Sequence, residues 1–202
     1  MENLSNAKTF GGIGAILLLI GGVIPYAGPI ISIIGLILIF FGVKTISEVA
    51  NNQEIFKNFL LSFIFNIIAI VSLLSMLLIG FGAAGGISWA MTLETATITD
   101  FSSFWNYFSE IVIYALIGFL VAWIFLIIGT LYLRKSYQII AQQTKVDYFK
   151  TTGTLYIVGA VTAIILIGFL ILFIARIFEI IAYFSLPENL PLNNDETNGE
   201  AL

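Results

Sequence analysis

The stretch GGVIPYAGPIIS, residues 21–32, carries two prolines inside a long apolar run, and its reading decides the fold. From Phe10 to Val43 there are 34 residues without a charge. As one helix they would extend about 51 Å, against a hydrocarbon core of about 30 Å, an excess that tilt does not absorb. Pro25 disfavours helical geometry at Ile24 and removes a backbone donor, Gly28 supplies conformational freedom, and Pro29 suits the first turn of a new helix. PYAGP therefore reads as a tight turn between two short spans, with Tyr26 at the interface.

Outward from that turn, the composition has the same character. The 202-residue chain is 59% hydrophobic and only 10% charged, where a soluble domain carries about a quarter charged residues. Its mean hydropathy is +1.05. So much apolar side chain needs lipid as solvent. The continuous runs, without strand-like alternation, point to an all-α polytopic transmembrane bundle and not a β-barrel. The flank MENLSNAK does not have the form of a signal peptide.

The expected spans are residues 6–24, 30–43, 59–81, 111–133 and 155–175, with Ser5 as N-cap of the first. Residues 1–186 form the bundle and 187–202 an acidic, disordered tail. The last apolar run also admits a break at Gly168, which would give six spans and return the tail to the starting side. Lys8, Lys44, Lys57, Arg134, Lys135, Lys145 and Lys150 fall on one side of the five-span threading, and Arg176 is the exception. The positive-inside tendency then sets the N-terminus in the cytoplasm and the C-terminus outside. The expected location is the cell membrane, as a multi-pass protein.

Several chemistries lack their residues. There is no cysteine and no histidine, which excludes thiolate and imidazole metal sites, disulfides and any imidazole base. No basic patch marks a nucleic-acid partner, and no cofactor, metal or catalytic constellation is expected. The acids Glu94, Asp100 and Glu110 with Ser102 and Ser103 are the only group resembling a lipid-enzyme site, and the chain is read as not an enzyme.

Polar groups inside membrane spans are the usual pointers to function. Asn66 in the third span is a candidate intramembrane polar contact, as interhelical glue or as a solute ligand. Arg176 and Glu179, three residues apart on one helix, are a candidate interfacial ion pair, with Arg176 reaching toward the headgroups. In TDFSSFWNYFSE, residues 99–110, four aromatics share one helical face, as in an interfacial helix or aromatic collar. Small residues at packing spacing, such as Gly11 with Ala15 and Gly159 with Ala163, predict close helix crossings and allow a homo-oligomer. The connections from Lys44 and from Lys135 look alike, as a duplicated helix pair or as ordinary juxtamembrane composition.

NAKTFGGIGAILLLIG, KTISEVANNQEIFKN and LRKSYQIIAQQTKVDYFKTTGTLYIVGAVTAIILIGFLILFIA together resemble an uncharacterised, mainly archaeal family of small polytopic integral membrane proteins, a domain of unknown function. The resemblance covers residues 5–186. It implies a cell-membrane protein with the lipid bilayer as partner, and it brings no site residues. The residues suggest a structural, regulatory or interaction-based role, with a small-solute transporter or pore-forming subunit as the alternative.

Overall fold

The computed structural model describes residues 3–86 and 101–191. Six helices and no strand occur among them: α1 (Ser5–Gly21), α2 (Gly28–Val49), α3 (Gln53–Ala83), α4 (Phe101–Thr144), α5 (Asp147–Thr162) and α6 (Ile167–Phe184). A 3-10 turn, Ala163–Ile165, continues α5. Five helical stretches are long and apolar enough to cross a membrane, and α1 is a shorter apolar helix.

The chain divides into two units. One holds residues 1–62 and 130–202, the other residues 63–129. In the first, α1 and α2 form the expected hairpin. Its turn hangs on Tyr26, which is left-handed at φ 64°, and Pro29 lies in the first turn of α2. The two helices touch through glycine. A Cβ on Gly35 would stand 2.7 Å from the Gly14 carbonyl oxygen, and one on Gly42 would stand 2.9 Å from the Gly11 nitrogen. Such contact lets the two backbones approach closely and pack by van der Waals surface.

The last apolar run departs from the expected single span of residues 155–175. The chain breaks after the 3-10 turn at Leu166, which adopts φ 63°, and α6 folds back on α5. Gly159 lies against Leu172, and Gly168 against the backbone of Ala163 and Gly159. Residues 147–184 as one helix would span about 57 Å, nearly twice the hydrocarbon core. Small residues at Gly159, Ala163 and Gly168 make the reversal possible without proline.

A second correction follows. The Leu4 N–H donates to the Glu188 carbonyl at 2.8 Å, and Lys8 Nζ to the Leu186 carbonyl at 3.3 Å. The two ends of the described chain therefore meet at one end of this unit instead of lying at opposite ends. Leu4 and not Ser5 occupies the N-cap, so the backbone of the C-terminal segment serves where a side-chain cap was expected. The same end carries the α2–α3 and α4–α5 connections, which turn on left-handed Asn51 (φ 46°) and Lys145 (φ 58°).

In the second unit, Gly118 packs against Met76 and Gly80 against Tyr114. The aromatic segment is not a separate interfacial helix, since α4 runs unbroken from Phe101. Trp105 and Phe108 are both exposed along it. Residues 87–100, with Glu94 and Asp100, and the tail from residue 192 lie outside the described residues.

Candidate functional site

Among the described residues, Glu179 is the one charged side chain buried in the apolar core of the first unit. Its side chain is only 2% exposed, and both carboxylate oxygens are engaged. Tyr137 Oη of α4 donates to Oε1, Tyr156 Oη of α5 donates to Oε2 at 2.6 Å, and Arg176 Nη1 donates to Oε2 at 2.8 Å. A carboxylate removed from water is tolerated only when it is paired and hydrogen-bonded, and here three donors on three helices meet that need.

Helical spacing explains the construction. Arg176 and Glu179 are three residues apart and share a face of α6, and Tyr183 follows Glu179 by four. The hairpin turn at Leu166 brings α5 back beside α6, which sets Tyr156 opposite this face. Arg176 also lies over the Tyr156 ring, its guanidinium carbon 5.3 Å from the centroid.

Aromatic rings complete the walls. Phe149 meets Tyr137 edge-on at 5.5 Å and Tyr183 edge-on at 5.2 Å between centroids. Tyr183 is fully buried against Gly11 of α1, where any side chain would collide with its ring. Its hydroxyl lies beside that of Tyr137 and makes no hydrogen bond of standard geometry among the described residues. Arg176 is the member least enclosed, with 36% of its side chain exposed.

The sequence-based ion pair of Arg176 and Glu179 is thus present in the structure, as one edge of a larger cluster. Glu179 lies about 8 Å along α6 from its Phe184 end and Arg176 about 12 Å. The tyrosines were missed, because nothing local marks Tyr137 or Tyr156 as partners of a residue 42 or 23 positions away. The one available signal was physical: a glutamate in an apolar helix needs donors at its own depth.

Asn66 lies half-buried on α3 in the second unit and takes no part in this cluster. That unit has an open cavity of about 420 Å³ lined by Ala83, Glu110, Ile113, Tyr114 and Ile117. Among the described residues, no group of three or more Asp or Glu is arranged to hold a metal ion.

Comparison with known proteins gives the chain a family. Residues 31–177 match the family described as "Protein of unknown function (DUF996)", and the chain belongs to it. It is 33% identical over 191 residues to "Uncharacterized protein MJ1644" of Methanocaldococcus jannaschii, covering 95% of this chain and 97% of that one. No solved structure matches.

Proposed function

We propose that the chain is a multi-pass protein of the cell membrane that crosses six times, with both ends in the cytoplasm, and that it acts as a small-solute transporter or a subunit of one. The observation that carries this reading is the second hairpin. It gives two helix pairs that start from the same end of the unit, and one of them holds a buried carboxylate paired with a partly exposed arginine. Repeated helix units around an intramembrane polar site are a recurrent plan of secondary transporters. The sidedness rests on charge. Lys8, Lys44, Lys57, Lys145 and Lys150 lie at or near the connections of one end, and Arg134 and Lys135 lie about three turns up α4 from it. The opposite turns, residues 22–27 and 163–166, carry no charge.

A structural or regulatory role is the second reading, favoured by how completely Glu179 is enclosed by its own chain. Uptake of solutes into vesicles separates the two. Protein-dependent flux that falls in Glu179→Gln supports transport, and equal leak with and without protein supports the second reading.

A further inference from the structure

The two hairpins are built to one register. Burial follows the same order, position for position, along residues 28–44 and 168–184. The glycine opening α2, Gly28, corresponds to Gly168, and Gly35 to Ala175. The left-handed residue of each turn falls at the same place, Tyr26 and Leu166. The first helices correspond as well. Lys8, Thr9 and Gly11 match Lys150, Thr151 and Gly153, with the second turn two residues shorter. A helix pair used twice provides an internal control on what the packing requires.

At the positions of Arg176, Glu179 and Tyr183, the first hairpin has Leu36, Ile39 and Val43. Ile39 and Val43 are as buried as their counterparts. The register therefore packs without any polar group there. A buried ion pair seldom adds stability over apolar residues of similar volume, so the polar cluster calls for an explanation other than folding.

We propose that the Glu179 cluster is a binding site for a small organic cation, a guanidinium or alkylammonium group, which Arg176 occupies in this arrangement as the chain's own substitute ligand. The carboxylate of Glu179 supplies the countercharge. Tyr156 presents a ring face already engaged by a guanidinium, and Phe149 and Tyr183 line the adjoining wall. A carboxylate beside aromatic faces is the combination that recognises such cations. The Tyr183 hydroxyl, buried beside that of Tyr137 and making no hydrogen bond of standard geometry, offers an acceptor for an entering N–H. Arg176, the partly exposed member, is the one able to leave. The space it vacates is that of a guanidinium head, which sets the size of cation admitted. As a statement of cargo, this rests on the transport reading; as a statement of binding, it is tested without flux.

The test uses the full chain in lipid nanodiscs, with thermal unfolding followed as methylguanidinium or tetramethylammonium chloride is added against equal sodium chloride. A ligand that binds only the folded state raises the midpoint with the logarithm of its concentration above Kd. The wild type is expected to be stabilised by at least one of the organic cations beyond the sodium control. Arg176→Ala, freed of its internal competitor, should reach the same shift in midpoint at a concentration lower by about tenfold, a modest gain on the affinity scale. Glu179→Gln should lose the response while still folding. Should Arg176→Ala not fold, Arg176→Lys is the substitute, with a smaller gain in the same direction. The inference is overturned if wild type and Arg176→Ala both unfold independently of the organic cations. It is equally overturned if Arg176→Ala alone responds, which marks a filled hole and a merely structural arginine, or if Glu179→Gln responds as the wild type does. Vesicle flux that persists unchanged in Glu179→Gln would keep transport and remove this site. Binding without flux would keep the site and remove transport.

Discussion

Gly35→Ala tests the packing of the first hairpin by the sign of its effect. In a helix that touches nothing, glycine to alanine is stabilising by about 0.8–1 kcal/mol, because glycine has the larger entropy to lose. Gly35 is not such a position. A Cβ there would meet the Gly14 carbonyl oxygen at 2.7 Å, Leu17 Cβ at 2.9 Å and the Leu18 nitrogen at 2.9 Å. Two of these neighbours are backbone atoms of α1, so no rotamer change relieves them and the helices must separate. Overpacking of this kind costs about 1–3 kcal/mol, and separation also loosens the reciprocal contact of Gly14 with Gly35. The net expectation is a loss of up to about 2 kcal/mol after the propensity gain. Gly82→Ala in α3 is the control, since nothing lies within 4 Å of a Cβ at that position; it should be neutral or stabilising. Reversible denaturation in mixed micelles, followed by helicity, measures both. If Gly35→Ala were as stable as the wild type while Gly82→Ala behaved as expected, the close α1–α2 crossing would be wrong.

Three further outcomes follow from the same geometry. Tyr137→Phe leaves Glu179 Oε1 without its tyrosine donor, whereas Tyr156→Phe leaves Oε2 still held by Arg176. Tyr137→Phe should therefore lose about 1.5–3 kcal/mol and Tyr156→Phe distinctly less, read as denaturation midpoints. Leu166→Gly should stabilise by up to about 1 kcal/mol despite the added chain entropy, because φ 63° suits glycine and Leu166 is 75% exposed; a loss would argue against that turn. Ser136→Ala removes the buried bond from Ser136 Oγ to the Ile55 carbonyl, 2.8 Å long, and should cost about 1 kcal/mol in the same assay.

The two turns show why one hairpin is legible in the sequence and the other only as an alternative. At residues 21–32 the prolines act within a few residues and are visible in the string itself. At residues 163–166 the string reads AIIL, with no breaker, and the left-handed residue is a leucine. That reversal is fixed by what meets across it: Gly159 against Leu172, and Gly168 against Ala163. Gly168 by itself marks a possible break, but the partners that make it one are brought together only by the fold. The site divides in the same way. Arg176 and Glu179 share a helix face and were found by spacing. Tyr137 and Tyr156 come from two other helices, and only the fold brings them to the carboxylate. The likeness of the connections from Lys44 and Lys135 is local, whereas the fuller duplication is a burial pattern shared by largely different side chains.

Everything proposed for this chain depends on the second reversal, and the absence of cysteine makes it directly accessible. Single cysteines at Ala27, Leu166, Gln143 and Asn193 are to be exposed in intact cells to a membrane-impermeant thiol reagent. Labelling is expected at 27 and 166, with protection at 143 and 193 until the membrane is opened. Labelling at 193 together with protection at 166 would mean that residues 155–184 cross once, and would remove the hairpin, the shared register and the site built on them.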